Sequence, residues 1–233
     1  MNSCICVKSE LDIFSVPPTQ TSIEDGITVD YHPIASLVDT GPIEFDIPAS
    51  IEHYLDPAHV YLHLAVKITK NDGSYLDDAS AVGPINLFLH SLFSQVDVQL
   101  NGRQVSSSSN TYAYRAYLET LLNYGKPAKE SQMTASLWYK DTATKMDTVG
   151  ADNTGFTKRA TFTSHSKTVD LFGRIHSDLF HQEKLLITGV GMHVKMVRSK
   201  TPFVLMSTEG GASYKVKIER AILHVRKVKV ANA

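Results

Sequence analysis

The sequence predicts an all-β fold into which one α-helix is inserted. Three observations support this prediction: apolar residues alternate along many short segments, an Asn-Gly pair marks a tight hairpin, and one segment changes to helical spacing. The hairpin and the helical segment both lie in the stretch from Phe88 to Gly125. Alternation with a period of two is typical of a half-buried strand. This order of elements favours a structural β-barrel over an enzyme.

The hairpin is predicted at Asn101-Gly102. Apolar and polar residues alternate from Val96 to Leu100, and the Asn-Gly pair follows at once. Asn and Gly tolerate the positive φ angles that a type I′ turn requires. We therefore expect the chain to turn back through residues 103–105, before the polar serines at 106–109.

The spacing predicts a helix over about residues 111–124. Four apolar residues within it follow the pattern i, i+3, i+4 and i+7: Tyr114, Tyr117, Leu118 and Leu121. This pattern places them on one helix face, which we expect to point towards the core. Asn110 is the predicted N-cap, and Gly125 with Pro127 is the predicted stop signal.

Strands are predicted on both sides of this helix. The clearest is His59 to Ile68, in which five apolar residues share one face. Further strands are predicted at residues 23–38, 42–48, 96–100, 168–172, 185–190, 192–196 and 214–219, with a bulge or bend at 220–223. Residues 85–93 fit a short helix or a buried strand, and we favour the helix. Residues 133–139 are read as an amphipathic segment and 141–155 as a long exposed loop.

About eight short, irregularly spaced strands favour a β-sandwich or a jelly roll. A chain of 233 residues fits one large all-β domain or two small ones. We assign residues 1–22 to an N-terminal extension and residues 23–233 to a single domain. The fold class is therefore predicted as all-β, an eight-stranded antiparallel jelly-roll barrel or sandwich with a short helical insertion.

Composition excludes several classes of function. The net charge is −1, and neither half of the chain is strongly charged, so we expect no specific nucleic-acid binding. No apolar run approaches the roughly 18 residues of a membrane span, and we expect no membrane partner. The N-terminus lacks the apolar centre of a secretory signal, and Cys4 and Cys6 lie too close together for a disulfide framework. These features predict an intracellular protein that is not secreted.

Motifs for catalysis and for metal binding are missing from the sequence. His176 and His181 flank Ser-Asp-Leu-Phe, which matches no zinc motif, and the HExxH pattern does not occur. No GxSxG elbow surrounds any serine, and residues 189–191 lack the third glycine of a dinucleotide loop. We therefore predict no catalytic residue, no cofactor-binding residue, no metal ligand and no cofactor.

Two other features leave alternatives open. The segment from residue 214 to residue 233 carries six basic residues and only Glu219 as an acid. It forms either a solvated strand face or a contact with nucleic acid or with an acidic neighbouring subunit. Trp138 and Tyr139 are candidates for a binding module that recognises protein or carbohydrate. A cupin-type metalloenzyme would need two close histidines and a glutamate on one strand pair, which the sequence does not provide.

Three segments resemble a known family: residues 8–26 (KSELDIFSVPPTQTSIEDG), residues 88–125 and residues 170–198 (DLFGRIHSDLFHQEKLLITGVGMHVKMVR). The chain is similar to the major capsid proteins of Polinton/Maverick elements and adintovirus-like viruses from about Lys8 to Val230. The resemblance implies a double jelly roll, in which two eight-stranded barrels stand side by side. This chain would be the first, N-terminal barrel, with the helix as an insertion.

The resemblance also implies a biological role. Three double-barrel subunits of this family form a pseudo-hexameric capsomer, so we expect self-association, a trimer if the full double barrel is present, and a minor (penton) capsid protein as a partner. The expected location is the virion capsid if the gene is active. We also expect that the chain is truncated and lacks the second barrel. The alternatives are then a single jelly-roll binding module or a non-functional relic of a transposon-borne capsid gene.

Overall fold

A computed structural model describes residues 22–77, 80–209 and 214–231. Its strands are β1 (Ile23–Tyr31), β2 (Ile43–Ile47), β3 (Tyr54–Lys70), β4 (Val82–Pro84), β5 (Phe93–Leu100), β6 (Arg103–Gln104), β7 (Val169–Arg174), β8 (Met192–Arg198), β9 (Leu205–Ser207) and β10 (Tyr214–Val230). Its α-helices are α1 (Phe88–Ser91), α2 (Tyr112–Asn123), α3 (Lys126–Glu130), α4 (Thr154–Thr163) and α5 (Thr201–Val204). Short 3₁₀ segments occupy Gln132–Ser136, Ser164–Ser166 and Asp178–His181.

The strands form two four-stranded antiparallel sheets. One sheet has the order β1-β10-β3-β7 and the other has the order β2-β8-β5-β6, while β4 and β9 make a separate small pair. Apart from the β5-β6 hairpin, neighbours within the two four-stranded sheets are distant in sequence and the chain crosses between the sheets, as in a jelly roll. The predicted fold class, with eight principal strands and a helical insertion, is therefore confirmed.

The core lies between the two sheets because apolar residues alternate with polar ones along each strand. Val60, Leu62 and Leu64 of β3 are fully buried. They face Phe45 of β2 and Val194 of β8 across one continuous cluster of apolar side chains. The predicted strand at 59–68 is thus correct in its inward face, although β3 extends further at both ends.

The predicted hairpin and bulge are both present. Asn101 and Gly102 have φ angles of 47° and 76°, and they join β5 to β6. In β10, the register with β3 shifts between Ile218 and Arg220. This bulge lies slightly before the predicted position, and it lets apolar residues return to the core face after the shift.

Helix α2 is present where the spacing predicts it, but two details were wrong. Its N-cap is Thr111 and not Asn110. Its buried residues are Tyr112, Ala116 and Thr120, so the helix packs on α1 and β5 through a narrow face of mostly small side chains. Of the predicted core face, Tyr117 is half-buried, whereas the other three apolar residues are exposed: Tyr114, Leu118 and Leu121.

Two further segments differ from the predictions. Residues 185–190 were expected to form a strand, but only Leu186 makes a bridge, with Leu55, and a turn follows with Gly189 at φ 79°. The loop predicted at 141–155 is mostly exposed, yet its end belongs to α4, a helix that the apolar pattern did not reveal. Asn153 caps this helix by accepting a hydrogen bond from Phe156 N at 3.2 Å.

The predicted N-terminal extension, including Cys4 and Cys6, lies outside the described residues apart from Ser22. The division into an extension and a single domain therefore stays a prediction. No helix within residues 22–77, 80–209 and 214–231 has the length and apolarity needed to cross a bilayer.

Candidate functional site

A polar cluster joins the inserted helix α2 to the segment that follows β7. Glu119 comes from the inner side of α2, His176 lies two residues after β7, and His181 ends the 3₁₀ segment Asp178–His181. His176 Nδ1 is 2.7 Å from Glu119 Oε2, and His181 Nδ1 is 3.8 Å from the same oxygen. One potential ligand atom from each of the three side chains lies within 4.8 Å of the others.

Arg115 and Asp178 hold Glu119 in place from the other side. Arg115 Nε donates to Glu119 Oε1 at 2.7 Å, one helical turn away on α2. The same guanidinium donates through Nη2 to Asp178 Oδ1 at 2.5 Å. Because Arg115 binds Oε1, the second carboxylate oxygen is left to face the two histidines.

A second pair of buried groups supports His176. Its backbone N–H donates to the Tyr112 hydroxyl at 3.3 Å, and that hydroxyl also lies 3.1 Å from His90 Nδ1. The imidazoles of His90 and His176 meet edge to face, with ring centroids 4.6 Å apart. These contacts fix the ring of His176 between α1, α2 and the segment after β7.

Burial controls the protonation of this cluster. It lowers the pKa of His176 and of His181, and it lowers the pKa of His90 well below its usual value. For Glu119, burial alone would raise the pKa, but hydrogen bonds from His176 and Arg115 outweigh it and lower the pKa overall. The cluster therefore favours neutral imidazoles beside a charged carboxylate.

The opposite side of α2 is an exposed apolar face. We define the α2 outer face as four residues that are 42 to 82% exposed: Tyr114, Leu118, Leu121 and Leu122. Tyr114 also contacts Phe203 of α5 edge to face, with ring centroids 5.7 Å apart. Beside it lies an open groove of about 680 Å³ whose lining includes Tyr117, Met146 and Phe203. Contiguous exposed apolar surface of this kind commonly marks an interaction site.

The basic residues of β10 are partly neutralised within the chain. Lys229 Nζ lies 3.3 Å from Glu24, and Lys215 Nζ lies 3.9 Å from Asp39. Lys217 is exposed on the same strand. The structure thus favours the solvated-face interpretation for much of this segment, while its role at a subunit boundary stays a hypothesis.

The structure bears on two alternatives from the sequence analysis, the binding module at Trp138 and the cupin-type metal site. Trp138 is only 4% exposed and packs with Leu87 and Ala116, so it is not a platform for a carbohydrate ring. The two histidines and the glutamate that a cupin site requires do meet, but between α2 and a loop and not on a strand pair. From the sequence, His176 and His181 were rejected because their spacing matches no zinc motif. Glu119, which is far from both along the chain, was not considered.

Comparison with known proteins gives a fold and a distant relative. No family model matches the chain. The curated relative "Uncharacterized protein F54H12.2" of Caenorhabditis elegans is 25% identical over 204 residues, which are 84% of this chain and 46% of the relative. An identity of 25% does not establish a family, and the name of this relative states no function.

Similar solved structures include chains from viral particles. A chain in the cryo-EM structure of the Sputnik virophage has a TM-score of 0.62 at 13% identity, covering 99% of this chain and 53% of that one. The Faustovirus major capsid protein has a TM-score of 0.56 at 7% identity, covering 94% of this chain and 56% of that one. The chain therefore spans about half the length of the proteins it matches. Together with the order of the strands, these likenesses show that the chain has the jelly-roll fold of viral capsid proteins.

Proposed function

We propose that this chain is a structural capsid protein, the N-terminal jelly roll of a double jelly-roll major capsid subunit, and that it is not an enzyme. The observation that carries the proposal is the likeness in fold, over 94 to 99% of this chain, to a chain of the Sputnik virophage and to the Faustovirus major capsid protein. The barrel interior supports a structural role, because the side chains between the sheets are apolar and close-packed in the described residues.

The lineage and the assembly form part of the same proposal. The segments at residues 8–26, 88–125 and 170–198 resemble Polinton/Maverick and adintovirus-like capsid proteins, which supports a virus-like genetic element as the source of the chain. In such a particle the subunit would associate with like subunits, as pseudo-hexameric trimers when both barrels are present, and a minor (penton) protein would fill the vertices. The proposed location is the virion capsid.

The α2 outer face is a surface through which subunits could associate. Its side chains include Leu122, which is 82% exposed, and Leu118, which is 56% exposed. Each Å² of apolar surface that a contact removes from water contributes about 25 cal/mol to its stability. We assign this face to contacts with a second copy of the subunit, since most neighbours of a capsid subunit are copies of the same protein.

The test is the association of the purified chain, measured by sedimentation velocity over a range of concentrations and by negative-stain microscopy. We expect concentration-dependent oligomers. The double variant Leu118→Ser with Leu122→Ser should weaken association at least tenfold, because it removes two exposed apolar side chains without touching the core. The matched control is Ile51→Ser, which changes a residue that is also highly exposed but lies far from α2 in sequence.

Two results would contradict the proposal. A wild-type chain that stays monomeric at every concentration would argue against a capsid role. Unchanged association in the double variant, with the same unfolding midpoint as the wild type, would remove the α2 outer face from the proposed interface.

A further inference from the structure

Glu119, His176 and His181 are all residue types that can bind a metal ion, and they lie close together. The three side chains come from two separate parts of the chain, and one donor atom of each lies within 4.8 Å of the others. We propose that they bind a divalent transition-metal ion of the zinc type, and that this ion fastens α2 to the segment after β7. The proposal is independent of capsid assembly.

The distances require only small side-chain movements. Around a tetrahedral ion with bonds of about 2.0–2.1 Å, neighbouring donor atoms lie about 3.3 Å apart. His176 Nδ1 and Glu119 Oε2 are now 2.7 Å apart, and His181 Nδ1 and Glu119 Oε2 are 3.8 Å apart. One gap therefore has to open and the other to close by about half an ångström each, and the two imidazole donors, which lie within 4.8 Å of each other, also have to approach. Rotations of the side chains allow this. His176 would then carry its hydrogen on Nε2 and leave Nδ1 free to bind the ion.

The charges around the cluster nearly cancel, so they do not oppose a cation. Arg115 lies between the carboxylates of Glu119 and Asp178. Arg174 adds a second positive charge that acts on His181. Arg115 also holds Oε1 of Glu119, so the carboxylate would bind the metal through Oε2 alone, in an orientation set by a hydrogen-bonded neighbour. Such outer contacts are a general feature of metal sites.

The ligand atoms indicate which kind of ion would bind, and the exposure of His181 indicates how it would enter. Two imidazole nitrogens and one carboxylate oxygen suit Zn²⁺ and related transition metals, whereas Mg²⁺ and Ca²⁺ prefer oxygen ligands only. The side chain of His176 is buried, but that of His181 is 30% exposed. An ion can therefore enter from the His181 side, and water can fill the remaining coordination position.

The first experiment is a metal titration of the full chain after treatment with a chelator. We expect one equivalent of Zn²⁺ by isothermal calorimetry, and a rise in Tm of roughly 5–10 °C at a hundredfold excess over the dissociation constant. Co²⁺ should give the intense visible absorption of a low-symmetry, near-tetrahedral site. Mg²⁺ at the same concentration should change neither signal. Absence of Zn²⁺ binding, or an equal response to Mg²⁺, would overturn the proposal.

The variants separate this site from adventitious surface binding. His181→Ala changes a partly exposed side chain, so the fold should persist, and we expect at least tenfold weaker Zn²⁺ binding and loss of the Co²⁺ spectrum. His32→Ala, which removes an exposed histidine on the loop after β1, is the matched control and should bind like the wild type. Glu119→Gln should also weaken binding, since the amide cannot replace the carboxylate charge. Wild-type affinity in His181→Ala would refute the site, and so would equal losses in His181→Ala and His32→Ala.

Discussion

Helices α2 and α4 both lie between β6 and β7 in the sequence, but they are held to the barrel by opposite means. Helix α4 carries a fully buried arginine, Arg159, which donates to Pro84 O at 2.9 Å, to Tyr139 O at 2.7 Å and to Asp141 at 2.8 Å. Helix α2 instead buries small residues such as Ala116 and presents apolar side chains to solvent.

The contrast separates two uses of a helix. The guanidinium of Arg159 donates hydrogen bonds to two backbone carbonyls and pairs with the carboxylate of Asp141. These contacts all lie within the chain, so no second molecule is needed to hold α4. Exposed leucines on α2 have no such partner among the described residues, and only another surface would remove them from water. Substitutions in α4 should therefore change stability, whereas substitutions on the outer face of α2 should change association.

The largest effect is expected for Arg159→Met. This change leaves the Asp141 carboxylate without its partner and two buried carbonyls without a donor, so the free energy of unfolding should fall by about 3–5 kcal/mol. Urea denaturation followed by circular dichroism measures it. The control is Lys158→Met, which alters an exposed neighbour and should stay within about 0.5 kcal/mol of the wild type. If the two variants lose equal stability, Arg159 does not anchor α4.

The next effect concerns the two faces of α2 directly. Ala116 is fully buried and packs in the cluster that contains Leu87 and Trp138. Ala116→Leu should cost about 1–3 kcal/mol of unfolding free energy through overpacking. Leu118→Ala, on the outer face, should cost less than about 0.5 kcal/mol. The same denaturation experiment compares them, and a greater loss in Leu118→Ala would mean that the assignment of the faces is reversed.

The smallest effect is expected at the start of α4. Asn153 is buried, and its Oδ1 accepts from Phe156 N at 3.2 Å and from Thr142 N at 3.3 Å. Asn153→Ala removes this N-cap and should lower the unfolding free energy by about 1–2 kcal/mol. Asn153→Ser keeps a side-chain oxygen as acceptor without burying a charge, and should recover part of the loss in the same thermal or urea unfolding curves. An alanine variant as stable as the wild type would show that Arg159 alone positions the helix.

The helices also show how far the sequence predicts this molecule. The periodicity predicted the position of α2 correctly, but the prediction of its buried side was wrong. A row of apolar residues on a helix indicates a face suited to burial, but it does not show whether the barrel or another molecule covers that face. Helix α4 was missed since its ten residues contain only Phe156 and Phe162 as large apolar side chains. The Asn153 cap was the available signal for it.

The strands were predicted better than the metal-ligand cluster for a physical reason. Alternation along β3 or β8 is a local property, and each inward residue is apolar whatever its neighbour in the sheet. The meeting of Glu119 with His176 and His181 depends on how α2 packs against the segment after β7, which no local pattern encodes. The sequence showed only that these three residues are of types that bind metals. Their spacing along the chain matches no metal-binding motif.

The sheet order has a consequence for synthesis on the ribosome. Strand β3 pairs along its length with β10, from Lys70 with Tyr214 to Tyr54 with Val228. At about 5–20 residues per second, translation of the intervening chain takes roughly 7–30 s. During that time β3, a long strand rich in buried apolar residues, has no partner on its β10 edge and is open to pairing with other nascent chains. The yield of folded protein should therefore depend on translation speed and on chaperones that cover such edges.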